Sequence, residues 1–244
     1  MINVQKRILI IIPSYDWNVR PEVLEKVENF ERPEGFSCEL NIVTRKLIHA
    51  ARNTAIKDML VGGFDYLLMC DDDNAPKHNN ALKLLIDARV DIVSGCIRKR
   101  SFPNHLAFHK EIIDKESGFF EFEDYETMPQ SEGLFEVGNV GTGFVLYKRA
   151  ILERLYKKYD YCPFENKLSH FAPLTNGYRC EFERAHESGE QIKVAQDGSL
   201  QVMRQHLSED LLFHRRAKQL GVRLWVHCGV LLDHYGNDWQ IFKI

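Results

Sequence analysis

The chain has 244 residues, 44% hydrophobic and 27% charged, an ordinary globular mixture that excludes disordered, collagenous and coiled-coil chains. At roughly 100–200 residues per domain this length allows one large domain or two small ones; with no repeat or low-complexity linker, one domain over residues 1–244 is expected. Lys and Arg number 32 against 35 Asp and Glu, a formal net charge of −3, which argues against a general nucleic-acid coat and leaves room for a local basic groove.

Residues 7–13 (RILIIIP) form a solid β-branched run without alternation, the pattern of a parallel strand covered on both faces. Residues 38–45 are a second strand candidate. From 48 to 61 the apolar positions Ile48, Ala51, Ala55, Ile56, Met59 and Leu60 repeat at helical spacing, and Gly62-Gly63 supplies a stop. Residues 64–70 (FDYLLMC) predict a third strand running into Asp71-Asp72-Asp73. Asn74 and Pro76 then predict the start of a helix through Leu82, Leu85 and Ile86, and residues 91–96 a fourth strand. This alternation predicts an α/β fold, a Rossmann-like doubly wound and mostly parallel sheet.

The middle of the chain changes character. Residues 105–109 and 119–123 predict two short strands around a turn-rich 114–118 segment, an added antiparallel hairpin. In residues 137–147 (VGNVGTGFVLY) the order Gly-x-x-Gly-x-Gly before a strand is not a dinucleotide fingerprint, which needs Gly-x-Gly-x-x-Gly before a helix. These glycines instead allow a turn or a close backbone approach. An amphipathic helix over 148–159 follows, then a weakly patterned stretch, 160–207, expected to form loops flanking a cleft. Ser208-Glu209-Asp210 opens a helix that stops at Gly221, with Ser208 as N-cap, and residues 222–227 and 230–232 close the core.

The cysteines Cys38, Cys70, Cys96, Cys162, Cys180 and Cys228 form no C-x-x-C pair. Several lie in apolar runs, as buried thiols of a reducing compartment do. The early apolar run 8–12 ends at Pro13, short of a signal-peptide core and of the roughly 20 residues of a membrane helix. A soluble, cytoplasmic protein is expected.

Three aspartates where a buried strand ends are the most informative feature. The carboxyl edge of a parallel sheet is where ligands bind, and adjacent carboxylates repel unless a cation or buried donors offset them. Mg²⁺ and Mn²⁺ take oxygen ligands, often carboxylates together with substrate phosphates, so Asp-x-Asp on a tight turn suits a nucleoside diphosphate site. A solvated acidic turn accounts for the tripeptide as well.

Taken in order, Pro13-Ser14-Tyr15-Asp16, then Ala51-Arg52-Asn53, then Asp71-Asp72-Asp73, then Gly141-Thr142-Gly143, then Ser208-Glu209-Asp210, then His234 resembles the glycosyltransferase A fold. More narrowly, it resembles the small family-2-like glycosyltransferases of bacteria and their phages. The resemblance spans residues 8–236, and the segments 98–136 and 157–207 carry no matching motif. It implies a nucleoside-diphosphate sugar as donor, UDP-sugar favoured, and an acceptor that is a modified DNA base, a polysaccharide, a lipid or a protein. Residues 1–100 would then be the nucleotide-binding part and residues 101–244 the acceptor-binding part.

By this resemblance Pro13, Tyr15 and Asp16 form the base pocket, and Arg52 and Asn53 hold the nucleotide and diphosphate. Asp71 lies near ribose and metal, Asp73 is the principal ligand of Mn²⁺ or Mg²⁺, and His234 completes the metal site. Asp72 fills a variable position, often a small residue in the family, so its charge departs from the pattern. Glu209 and Asp210 match the Glu-Asp motif, with Asp210 as general base of an inverting reaction, and Gly141, Thr142 and Gly143 border the donor sugar or acceptor. The chemistry needs such groups: a carboxylate takes the proton of the attacking hydroxyl, and metal and Arg offset the charge growing on the departing diphosphate.

Each residue has a plainer reading. Glu209 and Asp210 suit the positive end of a helix dipole, His234 an ordinary polar position, and Arg52 a helix-face ion pair. The run Arg98-Lys99-Arg100 reads as a phosphate contact or a solvated basic loop, and Trp17, Trp225 and Trp239 as stacking or packing residues. Two other functions compete. A sugar nucleotidyltransferase usually carries a glycine-rich basic loop after the first strand, and residues 14–20 contain no glycine. A carbohydrate- or nucleotide-binding module without turnover would share the fold.

Overall fold

The structure, a computed structural model, describes residues 5–100, 103–113, 120–158, 191–194, 200–203, 208–236 and 241–242. The first strand, β1 (Lys6–Pro13), is buried from Ile8 onward. Its alternate side chains divide between two cores: Ile8, Ile10 and Ile12 enter one, Leu9 and Ile11 the other. That is why the run is apolar at every position rather than at every second one.

The helix α1 (Pro21–Glu28) buries Val23 and Val27 and carries Pro in its first turn, where the missing N–H costs nothing. The edge strand β2 (Phe36–Val43) pairs parallel with β1. The helix predicted over 48–61 is α2 (Ile48–Gly62), capped by Gly63 at φ 72°, a left-handed conformation that favours glycine. Next come β3 (Tyr66–Cys70), β4 (Asn74–Pro76), α3 (Ala81–Asp87) and β5 (Ile92–Cys96). Asn74 and Pro76 therefore do not begin a helix as the sequence predicts. They pair with a strand near the C-terminus, and the helix starts five residues beyond Pro76.

The predicted hairpin is present as β6 (Phe108–Ile113) and β7 (Phe120–Asp124), in antiparallel register with His109 opposite Asp124. Its 114–118 turn lies outside the described residues. After β8 (Leu134–Val137), the short β9 (Asn139–Val140) adds to β6, making a three-stranded sheet. Then follow β10 (Phe144–Lys148), α4 (Arg149–Lys158), and the pair β11 (Gln191–Val194) and β12 (Leu200–Met203). The loops expected over 160–207 otherwise lie outside the described residues. The chain closes with α5 (Glu209–Lys218), β13 (Leu224–Tyr235) and β14 (Ile241–Phe242).

The fold is a mixed α/β architecture around one large sheet, its central path ordered β13-β5-β10-β3-β1-β2. Of these strands only β10 runs against the others. The carboxyl ends of β1, β3 and β5 and the amino end of β10 therefore share one edge. That edge gathers Ser14, Asp71 and Ile97 with Gly143. β13 overruns the edge, and its last residues pair with β4, His234 opposite Asn74. Among the described cysteines, Cys70, Cys96 and Cys228 are buried, Cys38 is half-buried, and all four are free. Among the described residues no helix is long and apolar enough to cross a membrane.

Candidate functional site

The second turn of α2 places Arg52 under the carboxyl edge, where it is only 4% exposed. Its Nη1 donates to Glu209 Oε1 at 2.6 Å and its Nη2 to Asp71 Oδ1 at 3.3 Å. One buried guanidinium thus ties together α2, the end of β3 and the start of α5. A charge this buried is tolerated only when paired and hydrogen-bonded. Burial raises the Asp71 carboxyl, with Arg52 pulling the other way and Asp73 adding to the rise. The Asp71 N–H donates to the Gly143 carbonyl at 2.8 Å, and Asn53 is buried beside Arg52.

The rest of the acid turn is held from other directions. The Asp72 carbonyl accepts from the Arg20 N–H at 3.0 Å. Its carboxyl is pushed up to about 6 by burial, against the pull of the Ser14 side chain and with Asp73 and Asp71 adding to the rise. Asp73 Oδ1 accepts from Asn74 Nδ2 at 3.0 Å; its Oδ2 meets Arg100 Nη1 at 3.0 Å and lies 3.5 Å from His234 Nε2. His234 Nδ1 lies 2.6 Å from the Arg98 carbonyl. A carbonyl only accepts, so Nδ1 carries a proton, and Nε2 is the nitrogen turned to Asp73.

A carboxylate oxygen beside the Nε2 of an imidazole held at Nδ1 by a backbone carbonyl is a side-chain pair that could ligate Mn²⁺ or Mg²⁺ once Nε2 is unprotonated. Asp71 is turned to Arg52 instead, and among the described residues no three His, Cys, Asp or Glu side chains gather as a ligand set. Two protein donors fit the habit of these ions, which keep water and substrate phosphate in their remaining positions.

Gly141, Thr142 and Gly143 link β9 to β10. A Cβ on Gly143 would come within 2.8 Å of Asn74 Nδ2 and 3.0 Å of Ile97 Cδ1, so any side chain there would have to displace these two side-chain ends. The same point lies 3.4 Å from Asp71 Oδ2, while a Cβ on Gly141 would lie 3.7 Å from Asp210 Oδ2. The segment is packed, with Thr142 only 1% exposed and Gly143 buried, and it has an acid near each glycine. Asp210 Oδ1 accepts from the Ser208 hydroxyl and, at 2.8 Å, from the Leu211 N–H. Ser208 occupies the N-cap position, but its side chain makes no capping bond to the helix backbone.

Pro13 ends β1 and is buried; Tyr15 and Asp16 follow it into solvent, Tyr15 being 69% exposed and Asp16 Oδ1 accepting from the Asn18 N–H at 3.1 Å. Trp17 is also exposed, with a left-handed φ of 67°. Trp225 lies at the opposite end of the sheet under the Arg223 guanidinium, and Trp239 lies outside the described residues.

Sequence reading leaves open what the basic run contacts, and misses its partners. Arg100 meets Asp73 and the Arg98 carbonyl meets His234. Lys99 Nζ donates to both Asp124 oxygens at 2.7 and 2.8 Å, and His109 Nδ1 and His105 Nδ1 lie 2.7 and 3.3 Å from the same carboxylate. Beneath Arg52 the buried Tyr147 hydroxyl lies 3.1 Å from His214 Nε2. The signals available are the short His105–His109 spacing and the acidic end of β7.

Neither a protein-family model nor a curated protein matches the sequence. Solved structures do resemble the fold. A197 from STIV superposes with a TM-score of 0.54 at 17% identity, over 97% of this chain and 93% of that one. Also similar are mannose-1-phosphate geranyltransferase from Thermus thermophilus (TM-score 0.46, 12% identity, 92% of this chain and 74% of that one) and 4-diphosphocytidyl-2C-methyl-D-erythritolsynthase from Anaerococcus prevotii (0.38, 15%, 89% and 98%).

Proposed function

We propose that the protein is a metal-dependent glycosyltransferase that moves a sugar from a nucleoside-diphosphate donor, UDP-sugar favoured, to an acceptor hydroxyl with inversion. One observation carries this reading: the Gly141–Gly143 segment has Asp71 of the acid turn near one end and Asp210 near the other. A sugar ring bound between those acids would have its leaving group beside the acid turn and its attacked face beside a carboxylate.

The residues divide the work accordingly. Pro13, Tyr15 and Asp16 border the base, with the exposed Tyr15 ring available for stacking. Arg52 and Asn53 shape the nucleotide end, and Arg52 holds Asp71 and Glu209 in place. Asp73 and His234 would hold Mn²⁺ or Mg²⁺, which as a Lewis acid offsets charge on a departing diphosphate. Asp210 Oδ2 takes the proton of the acceptor hydroxyl as its oxygen bonds to the anomeric carbon and the bond to the diphosphate breaks. Residues 1–100 thus serve the donor, and the segments after 101, His234 apart, the acceptor, whether modified DNA base, polysaccharide, lipid or protein.

The test is product analysis with a panel of nucleotide sugars and Mn²⁺, Mg²⁺ or chelator. Release of nucleoside diphosphate, lost by about a hundredfold or more in Asp210→Asn and Asp73→Asn, supports the proposal. Pyrophosphate formed from a triphosphate and a sugar phosphate would make the protein a nucleotidyltransferase. Ligand binding without any product would leave a binding module.

A further inference from the structure

The polar cluster on the three-stranded sheet is not absorbed by the site above, yet it faces the same way. In the β6–β9 ladder Phe108 lies opposite Val140 and His109 opposite Asn139, and one step back the Gly141 N–H donates to the Ala107 carbonyl at 2.8 Å. Side chains two apart on a strand share a face. Ala107 Cβ and Asp210 Oδ2 both lie near the point where a Gly141 Cβ would stand, at 3.6 and 3.7 Å, so the face that carries Ala107 and His109 is the face that meets Asp210. A second contact says the same: Asn139, opposite His109, donates from Nδ2 to the Leu211 carbonyl in the first turn of α5 at 3.1 Å. Asp124 stands opposite His109 on the other side, through the β6–β7 register.

The pair at the centre has a fixed sense. An ionised carboxylate only accepts, so at 2.7 Å the proton of the contact belongs to His109 Nδ1. The ring, 8% exposed, is left with an acceptor lone pair on Nε2. Lys99 donates to both oxygens of Asp124, and His105 adds a longer contact. This is an oriented imidazole, backed by a carboxylate, on the sheet face that meets Asp210, whose Oδ2 makes none of the hydrogen bonds that hold its Oδ1.

We propose that His109, oriented by Asp124, is a positioning residue that relays the acceptor proton away from Asp210. This rests on the reading of Asp210 as the general base. The proton leaves the acceptor O–H for Asp210, then passes from the neutral Asp210 carboxyl through an intervening water to His109 Nε2. The charge of the imidazolium is offset by Asp124, and the proton finally goes to water. Asp210 is returned to its ionised form, ready for a second turnover.

The groups that face His109 are Lys99, His105, Asp124 and Asp210, with the Phe122 ring beside it. Burial lowers its pKa from the ordinary value, Lys99 lowers it further, and Asp124 and Asp210 raise it. The ring is therefore neutral and able to accept a proton at pH 7.

Two measurements on the full chain test this. In the first, ring-carbon NMR follows the His109 titration without any donor. Asp210→Asn removes a neighbouring negative charge, so His109 is expected to titrate about 0.5 lower than in the wild type; an identical titration in both would overturn the proposal. In the second, release of UDP from UDP-glucose with Mn²⁺ is followed with water as acceptor across pH. His109→Gln and Asp124→Asn are each expected to lower kcat roughly tenfold, less than loss of a direct base, with the donor KM unchanged and the acidic limb of the profile displaced. If Asp210→Asn is inactive while both variants keep the wild-type kcat and profile, the relay is wrong and the base assignment stands. If Asp210→Asn turns over normally, the base assignment has failed and the relay falls with it.

Discussion

Two arginines reach the acid turn from opposite sides, in unlike surroundings. Arg52 is 4% exposed and divides its guanidinium between Asp71 and Glu209. The Arg100 side chain is 46% exposed and meets a single oxygen of Asp73. A buried guanidinium has no water to fall back on, so its two carboxylates are obligatory partners. A half-exposed one exchanges its carboxylate for water at little cost. The Arg52 end of the turn is therefore a fixed part of the fold, and the Asp73 end is where one cation can replace another.

The largest effect expected from this contrast is on folding. Arg52→Met leaves Asp71 and Glu209 without their shared counter-charge, and removing one partner from a buried ionic pair typically costs about 3–5 kcal/mol. Denaturant unfolding measures it. A loss below about 1 kcal/mol would show that the two ends of the turn do not differ as burial implies.

A second effect belongs to the layer beneath Arg52. His214 is fully buried against Tyr147, and burial lowers its pKa from 6.5 to about 4, despite Asp210 pulling the other way. The unfolded chain therefore takes up a proton between about pH 6.5 and 4 that the folded protein refuses. Stability contributed by the neutral ring is complete above about 6.5 and is lost as pH falls through that window. The slope is on the order of 1 kcal/mol per pH unit for one such group. His214→Gln, which keeps a polar partner for the Tyr147 hydroxyl, should show a shallower acid decline in thermal stability. An unchanged decline would place the acid sensitivity elsewhere.

The same contrast explains what is legible in the sequence. β1 and α2 are visible because each is specified locally, by a continuous apolar run or by helical spacing with a left-handed glycine stop. Asn74 and Pro76 mislead because their local signals suit a helix start, while the competing strand pairing comes from residues 232–234, far along the chain. The candidate acids and His234 stand out by residue type. What stays hidden are the pairings: Arg52 meets Glu209 across 157 positions, and Asp124 collects Lys99, His105 and His109 from a neighbouring segment. Charge partners are chosen by the fold, so a basic run such as Arg98-Lys99-Arg100 reads as a phosphate contact or a solvated loop until its acids are seen.

The smallest stability effect, and the sharpest test of the contrast, is at Arg100. An ion pair this exposed is worth up to about 1 kcal/mol, so Arg100→Gln should leave the unfolding free energy within that margin of the wild type. Its consequence for cation binding runs the other way. The guanidinium occupies Asp73 Oδ2, the oxygen that also faces His234 Nε2, and any divalent ion held there must displace it. Removing the competitor returns that pairing energy to the ion, and about 1 kcal/mol corresponds to roughly a fivefold change in affinity. Titration of the protein with Mn²⁺, followed by calorimetry or by the resonance of the free ion, should therefore show tighter binding in Arg100→Gln and none in Asp73→Asn. If Arg100→Gln instead binds Mn²⁺ more weakly, the arginine supports the ion rather than standing in for it, and the two ends of the turn are alike in needing their arginine.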